Sequence, residues 1–178
     1  QYTGMFQGKN LLLFTGEAFW IGAVNEQYTP TLYKLAHSGF VFENFYNPLW
    51  YYSTVDGEYA ATTGLIPTNQ VNASQRYAGK NGVSMYFSMG NQLRALGYPT
   101  LAYHNNTANY YDRNLSHPNL GYDFYACDTG LDVAMTWPQS DLEMMQLAGY
   151  RVEKMTAVDQ FCETVHVEVV CCLHRVNS

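Results

Sequence analysis

The segment Ser53-Thr54-Val55-Asp56-Gly57-Glu58-Tyr59 puts a hydroxyl where a helix would begin. Upstream, Asn10-Leu11-Leu12-Leu13-Phe14-Thr15-Gly16-Glu17 is an apolar run that ends in a small residue and a lone acid. A carboxylate at the end of a buried strand and a threonine at a helix N-terminus can share one divalent metal. The metal lowers the hydroxyl's pKa, and the alkoxide becomes a nucleophile for phosphorus. Glu17 and Thr54 are therefore the candidate metal ligands, and Thr54 is the candidate nucleophile. Each has a plainer reading. Glu17 could be a solvated strand end, and Thr54 could be an N-cap. The cap and the nucleophile are compatible, because the positive end of a helix favours an alkoxide and a phosphoryl oxygen. Asp56 and Glu58 read as acids that complement that helix end. Arg113 follows Asp112 and could pair with it on the surface, or its guanidinium could hold phosphate through two parallel hydrogen bonds. His104 ends a short apolar run and could be a satisfied strand-end histidine or a site residue.

Elements must position these groups. Lys9 to Thr15 reads as a buried strand. Thr29-Pro30 opens a helix, with threonine as N-cap, proline at the first helical position and Gly39 at the C-terminal cap. Phe40 to Phe45 alternates as a strand would. Thr54 to about Thr63 is a helix closed by Gly64 and Pro67. Thr68 to Gly82 reads as an exposed loop. Ser88 to Leu96 is a helix, Pro99 to His104 a strand, Tyr110 to His117 a helix stopped by Pro118, and Tyr122 to Ala126 a strand. Ser140-Asp141-Leu142-Glu143 is a capping box that opens a further helix. Strands alternating with helices imply a mainly parallel sheet sandwiched by helices, an α/β fold. In such sheets working residues gather at the carboxyl ends of strands, where Glu17 and His104 fall.

Composition narrows the function. The 178 residues are enough for one domain with a core. The formal net charge of −6 leaves no basic patch for phosphates, so nucleic acid is not an expected partner. No apolar run of about 20 residues is present, so no span is expected within this sequence. No charged-then-apolar leader opens it at Gln1. Near residue 146 the composition changes: three of the four cysteines follow it, and after Tyr150 the only Phe, Tyr or Trp is Phe161. Cys162, His166, Cys171, Cys172 and His174 offer zinc-binding types, but at a spacing that matches no finger. Val165 to Val170 could be a strand.

In order along the chain, several motifs resemble the extracellular domain of lipoteichoic acid synthase-like phosphoglycerol transferases, of the sulfatase and alkaline-phosphatase superfamily. Tyr2 to Asn10 with the apolar strand and Glu17 resembles the opening of that domain. Thr29 to Ala36 followed by Gly39-Phe40 matches the next helix and strand. Ser53 to Tyr59 resembles the nucleophile motif S-T-S-D-G-E-[FY]. His104-Asn105-Asn106 with Tyr110-Tyr111-Asp112-Arg113-Asn114 resembles H-[GN]-N followed by F-W-N-R-N. Ser140 to Met145 resembles the helix after it.

The resemblance implies roles. Glu17 matches the acidic metal ligand, and Thr54 the nucleophile that also touches the metal, usually Mn²⁺. Arg113 matches the arginine on the glycerol-phosphate group, with Tyr111, in place of a tryptophan, and His104 beside the substrate. Val55 replaces a serine. The implied reaction takes glycerol phosphate from a phosphatidylglycerol-type lipid head group to a glycerol-phosphate acceptor. The implied location is the extracytoplasmic face of a membrane, in a membrane-anchored parent. The family's other metal ligands, an aspartate and a histidine, stand beyond the Ser140 helix and have no counterpart here. Residues 1–146 are then the N-terminal part of a catalytic domain, incomplete at the C-terminus, and 147–178 an atypical tail. Two alternatives accompany the transferase: a catalytically inactive remnant, and a sulfatase- or phosphatase-type hydrolase. A true sulfatase needs C/S-x-P-x-R, which is absent around Thr54. A sheet without its later strands would expose an edge, so self-association is expected.

Overall fold

The computed structural model describes residues 3–5, 7–14, 21–40, 44, 54–67, 74–134, 141–158 and 168–175. The described helices are α1 (Pro30–Ser38), α2 (Thr54–Thr63), α3 (Ser74–Asn81), α4 (Met89–Ala95), α5 (Arg113–Asn119) and α6 (Asp141–Leu147). The strands are β1 (Leu101–His104), β2 (Asp123–Ala126), β3 (Tyr150–Val158) and β4 (Glu168–Arg175). β1 and β2 pair in parallel, from Leu101 opposite Asp123 to His104 opposite Ala126, with α5 in the crossover between them. Parallel neighbours need such a crossover, and this β1–α5–β2 unit makes the chain α/β. β3 and β4 pair antiparallel with each other. Among the described residues no helix is long and apolar enough to cross a membrane.

The core sits where α2, α3 and the β1–α5–β2 unit meet: Tyr59, Ala78, Met85 and Leu120 cluster, with Tyr122 against them. Two polar devices fix the α4 end of this core. The Ser88 hydroxyl, the N-cap of α4, donates to the carbonyl of Leu120 at 2.8 Å. The Asn91 amide donates to the carbonyls of Met85 and Asn119, each at 2.9 Å. Gly79 and Gly90 let backbones touch. A Cβ on Gly79 would lie 2.8 Å from the Leu115 carbonyl carbon, and one on Gly90 2.5 Å from the Leu120 oxygen.

Several expectations need correction. Residues 9–14 form no strand, and Leu11, Leu12, Leu13 and Phe14 are half exposed or more. An apolar run becomes a strand only beside a ladder partner, and the described residues offer it none. Thr29 does not cap α1 through its side chain. Its buried hydroxyl turns back and donates to the carbonyl of Ala23 at 2.5 Å. Gly39 is extended rather than left-handed. The stretch read as an exposed loop over Thr68–Gly82 contains α3, in which Gln75 and Ala78 are buried. Pro118 lies inside α5 rather than ending it. Of the strand expected over Val165–Val170, residues 168–170 lie in β4, which pairs with β3, and 165–167 lie outside the described residues. Phe40 to Phe45 falls largely outside the described residues, as does Ser140 of the capping box. Cys162 and His166 also lie outside them.

Candidate functional site

The site is built at the carboxyl end of β1. His104 is the last residue of that strand, and Arg113 is the first of α5. The connection between them ends in a 3-10 turn over Tyr110–Asp112. Tyr111 and Asp112 both take left-handed backbone, at φ 58° and 57°. Non-glycine residues pay for that conformation, on the order of 1–2 kcal/mol each, so the surroundings must over-determine it. They do. The Asp112 carboxylate binds Arg76 at 2.5 Å and Lys80 at 3.0 Å, both from α3. The Tyr111 ring meets two guanidinium groups, Arg76 at 5.9 Å and Arg113 at 5.4 Å from its centroid.

Arg113 is 2% exposed and its donors are nearly all engaged. Nε donates to Glu58 Oε1 at 3.0 Å and Oε2 at 3.3 Å, and Nη2 to Oε1 at 2.5 Å. Nη1 donates to the Tyr110 carbonyl and meets His104 Nε2, both at 3.2 Å. Arginine has only donors, so Nε2 of His104 must accept and its ring proton sits on Nδ1. Burial first, then the Arg113 charge, lowers the His104 pKa to about 4, so the ring is neutral at pH 7. His117, whose ring packs against Phe124 and Tyr122, is likewise lowered to about 4, first by burial and then by the Arg113 charge.

Glu58 joins this cluster to α2. It comes one turn after Thr54, the first residue of α2. Four residues of helix rise about 6 Å, and side chains lean toward the N-terminus, so residues four apart share one face. Gln75 of α3, fully buried, donates to Glu58 Oε2 at 3.2 Å. Asp56 stands in the first turn of α2, as expected, and the expectation that Glu58 merely complements the helix end is corrected. Asp56 is buried at 5% exposure, and Glu58 is the carboxylate of a largely buried ion pair.

The sequence-derived residues thus divide. Arg113, His104 and Tyr111 come together. Thr54 stands at the start of the helix that carries Arg113's partner. Glu17 lies outside the described residues. Among the described residues no three His, Cys, Asp or Glu side chains converge as a metal site. The oxygen donors of a glutamate and a threonine suit a hard divalent cation. Glu58 and Gln75 were missed as site residues. Glu58 stands in the nucleophile motif itself. Gln75 carried no signal, because it lies in a stretch that reads as loop.

A Sulfatase family model matches residues 9–163. Among solved structures, the chain is similar to the lipoteichoic acid synthase LtaP from Listeria monocytogenes. The identity is 26% and the TM-score 0.45, over 53% of this chain and 23% of that chain. No curated protein matches the chain.

Proposed function

The chain belongs to the Sulfatase family, and on that premise we propose that it is the N-terminal part of a phosphoglycerol transferase-like domain with Thr54 as nucleophile. The observation that carries the reading is the joining of α2 to the Arg113–His104–Tyr111 cluster through Glu58, one turn from Thr54. The ordered motifs around these residues support it. So does the lack of C/S-x-P-x-R around Thr54, which a formylglycine sulfatase would need.

The proposed substrate is the head group of a phosphatidylglycerol-type lipid. The Thr54 hydroxyl loses its proton and its oxygen bonds to phosphorus. The bond from phosphorus to the diacylglycerol oxygen breaks, and diacylglycerol leaves with a proton. Glycerol phosphate remains on Thr54 until a glycerol-phosphate acceptor hydroxyl displaces it. Arg113 faces the phosphoryl charge. The tyrosine rings around Arg113 and the neutral His104 hold the guanidinium in place. A divalent cation held by Glu17 and Thr54, Mn²⁺ in this reading, would supply Lewis acidity and a lower hydroxyl pKa. The catalytic part is assigned to residues 1–146 and the tail to 147–178. The reaction is assigned to the extracytoplasmic membrane face. A hydrolase reading shares the nucleophile and differs only in taking water as acceptor.

The test is Thr54→Ala in the full-length protein. It is expected to lower release of diacylglycerol from the lipid by about a thousandfold or more, with the thermal transition unchanged. Turnover equal to that of the unaltered protein would refute the nucleophile. Glycerol phosphate appearing free rather than on an acceptor would favour the hydrolase.

A further inference from the structure

We propose that Glu58 occupies the seat on Arg113 that a phosphoryl group takes, so that substrate enters by exchanging one carboxylate for one phosphoryl. The inference rests on the reading above, in which Arg113 meets the phosphoryl charge. A guanidinium offers five N–H groups, and the fork that matches an oxyanion is two parallel donors. On Arg113 the fork made by Nε and Nη2 is filled by the two Glu58 oxygens at 2.5–3.3 Å. Both hydrogens of Nη1 are directed to Tyr110 and His104. One Nη2 hydrogen remains, on a side chain that is 3% exposed. A two-point phosphoryl contact therefore requires Glu58 to leave.

The surroundings suit such an exchange. Arg113 has anchors that do not involve Glu58: the Tyr110 carbonyl, His104 Nε2, and the rings of Tyr110 and Tyr111 at 5.7 and 5.4 Å from its central carbon. It keeps its place when the carboxylate departs. The Glu58 side chain is more accessible than its partner, at 15% against 3%. Besides Arg113 it is held by Gln75 at 3.2 Å. Charge is conserved at the buried guanidinium throughout, which avoids the cost of an unpaired buried ion.

The experiment is titration of this chain with inorganic phosphate at fixed ionic strength by calorimetry, comparing it with Glu58→Asp and Glu58→Gln. Glu58→Asp keeps the charge and withdraws the carboxylate by one methylene, so a general electrostatic effect leaves its affinity unchanged. Exchange predicts phosphate binding tighter on the order of tenfold in Glu58→Asp, about 1.4 kcal/mol, and at least as tight in Glu58→Gln. NMR of the unaltered chain gives a second measurement that needs no variant. The Arg113 Nε–H and Glu58 carboxyl resonances should move together and saturate at one phosphate concentration. Unchanged or weaker binding in Glu58→Asp, or phosphate saturation with the Arg113 Nε–H resonance unmoved, overturns the proposal. These results concern phosphate alone. Loss of the Thr54 assignment would show as retained lipid turnover and leave them standing.

Discussion

Arg113 donates to a carboxylate, an imidazole and a carbonyl while almost wholly removed from water. A charge so placed is costly to leave alone. Truncating either side of the Glu58 pair is expected to lower stability by about 3–5 kcal/mol, read as a fall in the urea midpoint of Arg113→Ala or Glu58→Ala. A loss under about 1 kcal/mol would mean the pair behaves as a surface bridge. The histidines give a pH signature. In the folded state His104 and His117 titrate near 4, below the ordinary value of 6.5. Between those values the unfolded chain binds more protons, so stability rises with pH and is lost as pH falls from 6.5 toward 4. Thermal melts across that range should show the decline, and His117→Asn should blunt it; a flat profile would contradict the burial of these rings. Arg113, His104 and Tyr111 were readable because a motif names them. Glu58 as the ion-pair partner was not, because an ion pair between residues 55 apart leaves no mark at the spacing of a single helix.

Helices were more legible than their contacts. α2, α4 and α5 appear in the sequence through their caps, glycines and spacing. α3 does not, because its residues are mostly polar and its inward face is Gln75 and Ala78 rather than a leucine stripe. Its place is set by Gly79, whose missing Cβ admits the backbone of Leu115 and Ser116. Gly79→Ala improves helix propensity by about 1 kcal/mol, yet the blocking atoms are backbone and no rotamer relieves them. Overpacking of about 1–3 kcal/mol should win, and the urea midpoint should fall. Gly57→Ala in α2, where nothing lies within 4 Å, is the control and should raise stability by about 0.5–1 kcal/mol. Equal gains in both variants would show that α3 and α5 are not in contact. The run at residues 9–14 shows the opposite failure. Its composition reads as a buried strand, but composition does not supply the neighbouring ladder.

For the molecule as a whole, the α/β class and the parallel pair were readable from alternation alone. The antiparallel partnership of β3 with β4 was not, because only one of its strands had a β pattern. The compositional break near residue 146 falls at the last turn of α6. Leu11, Leu12, Leu13 and Phe14 are 50–61% exposed in one continuous run. Contiguous apolar surface of this kind favours association. Sedimentation velocity should show a concentration-dependent rise in mass, and Leu11→Ser with Leu13→Ser should abolish it; a monomer at all concentrations would count against this. The proposed transfer turns on one bond, between the Thr54 oxygen and phosphorus. Incubating the full-length protein with a phosphatidylglycerol-type lipid and Mn²⁺, quenching in acid and sequencing peptides by mass spectrometry reads that bond directly. The prediction is glycerol phosphate carried on Thr54. Diacylglycerol release with the adduct on another residue, or with none at any time point, would contradict it.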